Sequence, residues 1–290
     1  MPTVSVIMTS YNYAAYLGEA LASVRAQTWS DWELLVVDDG STDDSVAIIA
    51  EAARQDTRIR LLRHADGGNH GMPASLRLGL QAATGIFAAF LESDDAWRPD
   101  CLEQRLRLFS RSAAHVVFNA VEPVSGEGAA SRRVRRYMAH LRLRFPWTSV
   151  ASLTPHIWLG NVVPSFSCVM ARRDVLAGCD FQAPTPAWLD WWLWLQLAST
   201  ARFAYLDNPL TRWRLHAHSY SASITGTHGR RHRLLREACR LPGAEPSGLM
   251  RGLAALPGRG LFLCNAALLV ALRARALACR KKAASGGRGA

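Results

Sequence analysis

Residues 88–95 read Ala-Ala-Phe-Leu-Glu-Ser-Asp-Asp, an apolar run that ends in three carboxylates within four positions. Carboxylate oxygens suit a hard divalent cation such as Mg²⁺ or Mn²⁺. Such ions serve phosphate chemistry through one or two protein ligands completed by the substrate's own phosphates. The same letters also fit a solvated acidic turn ahead of a helix. A second stretch favours the site: residues 33–39, Glu-Leu-Leu-Val-Val-Asp-Asp, again run a buried-strand pattern into paired acids. Further along, residues 187–198 form an apolar, Trp-rich helical segment with one ionisable residue, Asp190. A lone carboxylate there is expensive to bury unless it is paired or faces a cleft.

The surrounding pattern supplies elements to position these acids. Val4 to Met8 reads as a strand, Thr9-Ser10-Tyr11-Asn12 as a turn, and Ala14 to Gln27 as a helix with an apolar face of Leu17, Ala20, Leu21 and Val24. After the second strand, Gly40-Ser41-Thr42-Asp43-Asp44 provides a turn and a helix cap before Val46 to Ala50. Arg58 to Arg63 is a third strand, Pro73 to Ala83 a helix with Pro at its start, and Ile86 to Leu91 a fourth strand. Strands alternating with helices imply a mostly parallel sheet covered on both faces, and open sheets of that kind bind ligands at the carboxyl ends of their strands. Both acid clusters fall at that edge.

Composition agrees with an enzyme-sized body: 290 residues, 49% hydrophobic and 20% charged, enough for one large core or two smaller ones. The net charge of +11 is unevenly spread, with −6 in residues 1–125 and +17 in residues 126–290. A basic half implies phosphates, whether of nucleic acid, an anionic membrane surface or a phosphorylated acceptor. Six scattered cysteines form no Cys-x-x-Cys pair, which argues against a zinc site or disulfide framework and for a reducing cytosol. Neither a signal peptide nor a transmembrane helix is expected, since the apolar run at 266–272 is far shorter than the roughly 20 residues a bilayer needs.

The segments Val4 to Asn12, Val36 to Asp43 and Phe90 to Trp97 resemble, in order and spacing, the family 2 glycosyltransferases of the GT-A fold, and the likeness covers about residues 3–220. The resemblance implies an α/β fold with a mostly parallel, Rossmann-like central sheet flanked by helices, here followed by a helical C-terminal extension. It implies a catalytic domain over 1–220, with a nucleotide-sugar-binding half at 1–122 and an acceptor-binding half at 123–220, and a basic extension over 221–290. It implies a nucleotide-diphospho-sugar donor, taken as a UDP-sugar, Mn²⁺ or Mg²⁺ as cofactor, and transfer with inversion to an acceptor hydroxyl. The setting implied is bacterial cell-surface polysaccharide or glycoconjugate synthesis, with a saccharide, lipid-linked or protein acceptor.

Residue roles follow from the same resemblance. Thr9 and Tyr11 line the nucleotide, Asp39 contacts the base, Glu92 lies on the ribose side, Ser93 is a further nucleotide-sugar-binding residue, and Asp94 is a direct metal ligand. Glu92 stands where the family usually has Asp, so its carboxylate reaches about one methylene farther. In residues 68–79, Leu76 occupies the position expected for Arg and Arg77 the one expected for Asn; Arg77 is a candidate for the diphosphate or else a solvent-facing helix residue. Asp190 matches the base that deprotonates the acceptor hydroxyl. The flanking acids are replaced by Leu189 and Trp192, and the apolar setting should raise its pKa towards a working range. Residues 211–219 resemble the element that closes the catalytic domain, with His216 as the second metal ligand and His218 as the alternative. The segment Ser165 to Arg173 is similar to the strand before the base-bearing helix, its hydroxyls expected to face the acceptor.

Two stretches lie outside the pattern. The Arg-rich run within 123–150 reads as a basic solvated face, or alternatively as an amphipathic helix meeting lipid phosphates. The tail from Gly258 mixes Leu and Phe with Arg and Lys, which suits a peripheral membrane helix at the inner face of the cell membrane or a contact with a second copy of the chain. Nucleic acid is not expected as a partner, since the Arg-rich runs match no recognition module. The first strand leads into Thr9-Ser10-Tyr11-Asn12 rather than a Gly-x-Gly-x-x-Gly turn, which disfavours a dinucleotide oxidoreductase. A nucleotidyltransferase and a non-catalytic nucleotide-sugar-binding scaffold are the competing readings.

Overall fold

Strand β1 (Val4–Ser10) has β2 (Trp32–Asp38) and then β3 (Ile59–Arg63) on one side and β4 (Phe87–Phe90) on the other, all four parallel. The computed structural model describes residues 1–124, 150–151, 157, 160–184, 188–198, 200–216, 234–235 and 237–238. These strands are apolar on both faces because helices cover both. On one face Val4, Val6, Met8, Leu34 and Val36 pack with Leu17, Leu21 and Val24 of α1 (Ala14–Arg25) and Ile49 of α2 (Ser45–Gln55). On the other, Ile7 and Leu35 meet Leu76 of α3 (Met72–Ala82). Gly79 sets how closely that helix approaches: a Cβ there would lie 2.6 Å from Cγ2 of Ile7.

Strand ends differ from the pattern-based expectation by a few residues. β1 continues through Thr9 and Ser10, expected as a turn, because Ser10 still pairs with Asp38. Ile86, expected in the fourth strand, is 60% exposed and precedes it.

Beyond β4 the sheet becomes mixed. β5 (Ala96–Trp97) and α4 (Cys101–Ser110) lead to β6 (Val116–Val124). A short stretch, β7 (Val150–Ala151), is followed by a 3₁₀ turn at Phe166–Cys168, β8 (Val169–Arg172), α5 (Arg173–Leu176), α6 (Leu189–Leu197) and β9 (Phe203–Arg214). The order is β3-β2-β1-β4-β8-β6-β9-β5, with β7 also paired to β9. β8 inserts antiparallel between β4 and β6, and β5 and β7 run against β9. β6 and β9 share the direction of the first four strands, so the parallel plan persists around three reversed insertions.

Helix α6 is buried nearly all round: Leu189, Trp191, Trp192, Leu193, Trp194, Leu195 and Leu197 all belong to the larger core. The Trp stripe is therefore mostly core, as its apolar flanks suggest. Leu234, Leu235 and Ala238, from the region expected as an extension, are buried in the same core. Most of the Arg-rich run, His218 and the tail from Gly258 lie outside the described residues. Among the described residues no helix is long and apolar enough to cross a membrane.

Candidate active site at the carboxyl ends of the parallel strands

The chain steps from β1 to β2 and β3 on one side and then returns to β4 on the other, so the strand order reverses at β1. Crevices at such a reversal are where open α/β sheets bind ligands. The first wall is the loop Tyr11–Tyr13. Asn12 adopts φ 57°, and its Oδ1 accepts from Thr42 N at 2.8 Å while its own N–H donates to Ser41 Oγ at 2.9 Å. Asp43 joins the starts of two helices, accepting from Ala14 N and Ser45 N at 3.0 Å each. Thr9 is half-buried and Tyr11 is 45% exposed, both at this edge.

The second wall is the β2 turn. Asp38 Oδ2 accepts from Gly40 N and Ser41 N at 3.2 and 3.1 Å, closing the turn on itself. Gly40 has φ 79°, and a Cβ there would lie 2.8 Å from the Gly68 carbonyl carbon, so two loops touch backbone to backbone. Asp39 is 4% exposed and clamps the second of those loops, accepting from His70 N at 2.8 Å and Gly71 N at 2.9 Å. His64 Nε2 lies 3.3 Å from Asp39 and 2.9 Å from Ser75 Oγ, with its ring 4.3 Å from that of His70. The carboxylate keeps lone pairs beyond those two amides. His64 and His70 carry no motif signal, and the sequence reading did not single them out as site residues.

The third wall is the acidic turn after β4. Glu92 Oε2 accepts from Ser165 Oγ at 2.8 Å, and Glu92 N donates to Ser167 Oγ at 2.9 Å. These two hydroxyls, expected to face the acceptor, instead hold Glu92. Burial, the Asp94 charge and then the Asp190 charge push the Glu92 carboxyl up to about 8, against the Ser165 hydrogen bond. Burial also raises Asp94, opposed by His216. Asp95, 2% exposed, sits well above the usual carboxylate range through burial and the charges of Asp94 and Glu92, while its Oδ1 accepts from Arg214 N at 2.8 Å. Ser93 is buried beside them.

His216 Nε2 lies 3.0 Å from Asp94 Oδ2, and its ring packs 4.9 Å from Tyr16 and 5.8 Å from Tyr13. Arg214 donates from Nε to the Asp94 carbonyl at 2.9 Å and pairs with Glu19 of α1, as does Arg212 at 2.6 Å. A buried Arg105 braces the floor, donating to Asn119 Oδ1 at 2.8 Å and to the Ser167 carbonyl at 2.9 Å.

Asp190 is half-buried in the first turn of α6. Its Oδ1 accepts from Trp191 N at 2.7 Å and its Oδ2 from Asn161 Nδ2 at 2.6 Å. Burial pushes the carboxyl up to about 6 in spite of both bonds. The charge of Asp190 reaches Glu92. Among the described residues, the segment 161–167 links α6 to the acidic turn through bonded residues, touching Asp190 at one end and Glu92 at the other.

The donor set suits a small divalent cation. Asp94 and His216 present an oxygen and a nitrogen within 3.0 Å, and three crowded carboxylates whose charges oppose one another would be relieved by positive charge between them. Among the described residues no three His, Cys, Asp or Glu side chains gather into a metal cluster, so the protein's share would be the one or two ligands usual for a phosphate-bridging ion. Arg77 is exposed on α3, on the side away from the buried Ser75 and Gly79. Leu76, in the position expected for Arg, is instead buried in the core. A cavity of about 680 Å³ bounded by Trp29, Phe87, Phe109 and Arg172 lies at the other, amino-terminal edge of the sheet, away from these carboxylates.

Comparison with known proteins agrees with this architecture. An uncharacterized glycosyltransferase of Nostoc sp. is 32% identical over 228 residues, covering 77% of this chain and 68% of that protein. The UDP-Glc:alpha-D-GlcNAc-diphosphoundecaprenol beta-1,3-glucosyltransferase WfgD of Escherichia coli is 32% identical over 131 residues, 45% of this chain and 50% of WfgD. For three other relatives the match spans only 33% to 50% of their length. Among solved structures, Staphylococcus aureus TarS in complex with UDP-GlcNAc superposes with a TM-score of 0.64 at 20% identity, over 82% of this chain and 66% of that one. The mannosyltransferase PcManGT of Pyrobaculum calidifontis, in complex with GDP-Man and Mn²⁺, gives 0.63 at 19% identity, over 100% of this chain and 76% of that one. At such identities the structures show the shared GT-A fold. The glycosyl transferase family 2 model matches residues 5–178, more than half of the sequence, and the chain belongs to that family.

Proposed function

We propose that the protein transfers a sugar from a nucleoside-diphosphate sugar to an acceptor hydroxyl with inversion, and that Asp190 is the base. The observation that carries this reading is the approach of Asp190 to the acidic turn, close enough for its charge to act on Glu92. A carboxyl raised to about 6 is ionised at neutral pH yet basic enough to take the acceptor's proton as the new bond forms. One displacement by the acceptor oxygen, with no covalent nucleophile, inverts the anomeric carbon. Asp94 and His216 would hold Mn²⁺ or Mg²⁺, which when bound neutralises charge on the leaving diphosphate. Thr9, Tyr11, Asp39, Glu92 and Ser93 would line the nucleotide, in a donor half over 1–122 that works with an acceptor half over 123–220.

A UDP-sugar is the favoured donor, supported by the UDP-GlcNAc complex of TarS, with a GDP-sugar as the variant suggested by PcManGT. A lipid-linked acceptor in bacterial cell-surface polysaccharide synthesis is supported by the name of WfgD and by the +17 balance of residues 126–290. That setting is the cytoplasmic face of the membrane, with the segment after 220 supplying peripheral contact. Truncation after Pro257 should then leave donor hydrolysis intact and reduce sedimentation with anionic vesicles at low salt. Equal sedimentation of both forms would remove the tail from this role.

The central test incubates the protein with UDP- and GDP-sugars and Mn²⁺ and follows nucleoside diphosphate release. Asp190→Asn should bind donor normally yet lose on the order of 10²–10⁴ in rate. For the wild type, kcat/KM should rise with pH through about 6, because the base acts only when ionised, and that limb should vanish in Asp190→Asn. Pyrophosphate release from nucleoside triphosphates would instead identify a nucleotidyltransferase.

A further inference from the structure

Asn161 reaches the base from outside α6. Its Nδ2 donates to Asp190 Oδ2 at 2.6 Å, and its Oδ1 accepts from Val163 N at 3.1 Å. The second bond assigns the amide orientation: turned the other way, its oxygen would face a carboxylate and its NH₂ would face the Val163 N–H. With Trp191 N on Oδ1, each oxygen of Asp190 then has a donor, and the plane of the carboxylate is set by two bonds that do not swing together. Val162 and Val163 are 0% and 1% exposed, so the backbone that carries Asn161 is anchored in the core.

The same segment reaches the other side of the cleft. Ser165 Oγ donates to Glu92, and Ser167 Oγ accepts from the Glu92 amide. Residues 161–167 therefore span the crevice, with one end on the base and the other on the donor-side acid. Proton transfer and in-line attack tolerate only small misplacements, and a carboxylate free to rotate about χ2 loses the lone-pair direction that meets the acceptor hydroxyl.

We propose that Asn161 is the positioning residue of the base, and that the 161–167 segment sets the reach between Asp190 and the acidic turn. This rests on Asp190 being the base. The bond from Asn161 also favours the charged carboxylate and so draws Asp190 down against its burial, while Glu92 is the ionisable neighbour whose charge it meets among the described residues. Losing Asn161 should both misplace the carboxylate and raise its pKa.

The test compares wild type, Asn161→Ala, Asn161→Ser and Asp190→Asn, reading UDP release from UDP-GlcNAc with Mn²⁺ and water as acceptor. Calorimetry with UDP and Mn²⁺ reports donor-site integrity, and ¹³C-carboxyl NMR in Mg²⁺ follows the Asp190 titration, assigned through its loss in Asp190→Asn. Asn161→Ala should lower kcat by about ten- to a hundredfold with donor KM within about twofold, and should move the Asp190 midpoint to higher pH. Asn161→Ser, which keeps a small donor, should recover part of the rate; if the Ala variant does not fold, the Ser variant alone must show the same split and shift. An unmoved midpoint, or a loss of UDP affinity equal to the loss of rate, overturns the positioning role. Wild-type UDP release by Asp190→Asn would instead overturn the base assignment, so the two failures are distinguishable.

Discussion

The first and second halves of the sheet contribute to the site in different ways. In β3-β2-β1-β4 the functional acids grow from the strand ends themselves: Asp38 closes β2, Asp39 follows it, and Glu92 and Asp94 follow β4. In the half built from β8, β6, β9 and β5, the contribution is mainly partners. Ser165 and Ser167 hold Glu92, Arg214 holds Asp95 and the Asp94 carbonyl, and His216 meets Asp94. The first half brings charge that is costly to bury, and the second brings the donors that make the burial tolerable. Asp190 is the exception, an acid of the second half whose charge acts on Glu92. An acidic motif at a strand end is therefore half a site.

The largest effect should come from Asp94→Asn, which keeps the shape of the first half and removes one of its charges. We expect metal-dependent turnover to fall on the order of 10³-fold, as when a central electrostatic group is lost. Mn²⁺ titration of donor hydrolysis checks it, and an unchanged Mn²⁺ dependence would release Asp94 from the ligand role. A smaller effect should come from the supporting half: Ser165→Ala removes the hydroxyl on Glu92 and should raise donor KM by about tenfold, with the melting temperature shifting by only a few degrees. If KM stays put in that variant, the halves work independently and the contrast drawn above fails.

The parallel half was legible because each of its signals is local. Apolar runs such as Leu34 to Val37 mark strands buried on both faces, and the spacing of Leu17, Leu21 and Val24 marks a helix face. Asp39, Glu92 and Asp94 follow the strand ends that the motifs implied, His216 is bonded to Asp94, Asp190 sits in the first turn of α6, and Arg77 is exposed on α3. What stayed illegible depends on contacts between distant residues. Ser165 bonds Glu92 across 73 positions and Arg214 bonds Asp95 across 119, and no periodicity encodes such pairs. The reversed direction of β8 was equally hidden, since three apolar residues and an arginine read as a strand whichever way it runs. Asn161 had no signal at all, being an ordinary loop polar residue until its partner is known.

The pairing of Glu19 with Arg212 and Arg214, and of Asp94 with His216, also orders events during synthesis. The ribosome releases the acidic turn more than a hundred residues before its histidine and arginine partners. Until then the carboxylates have neither their strap from β9 nor a completed ligand pair. On the proposed reading, a nascent chain that has folded only its parallel half should therefore not yet turn over a nucleotide-sugar. The finished arrangement needs the end of β9 paired with Glu19 of the first helix.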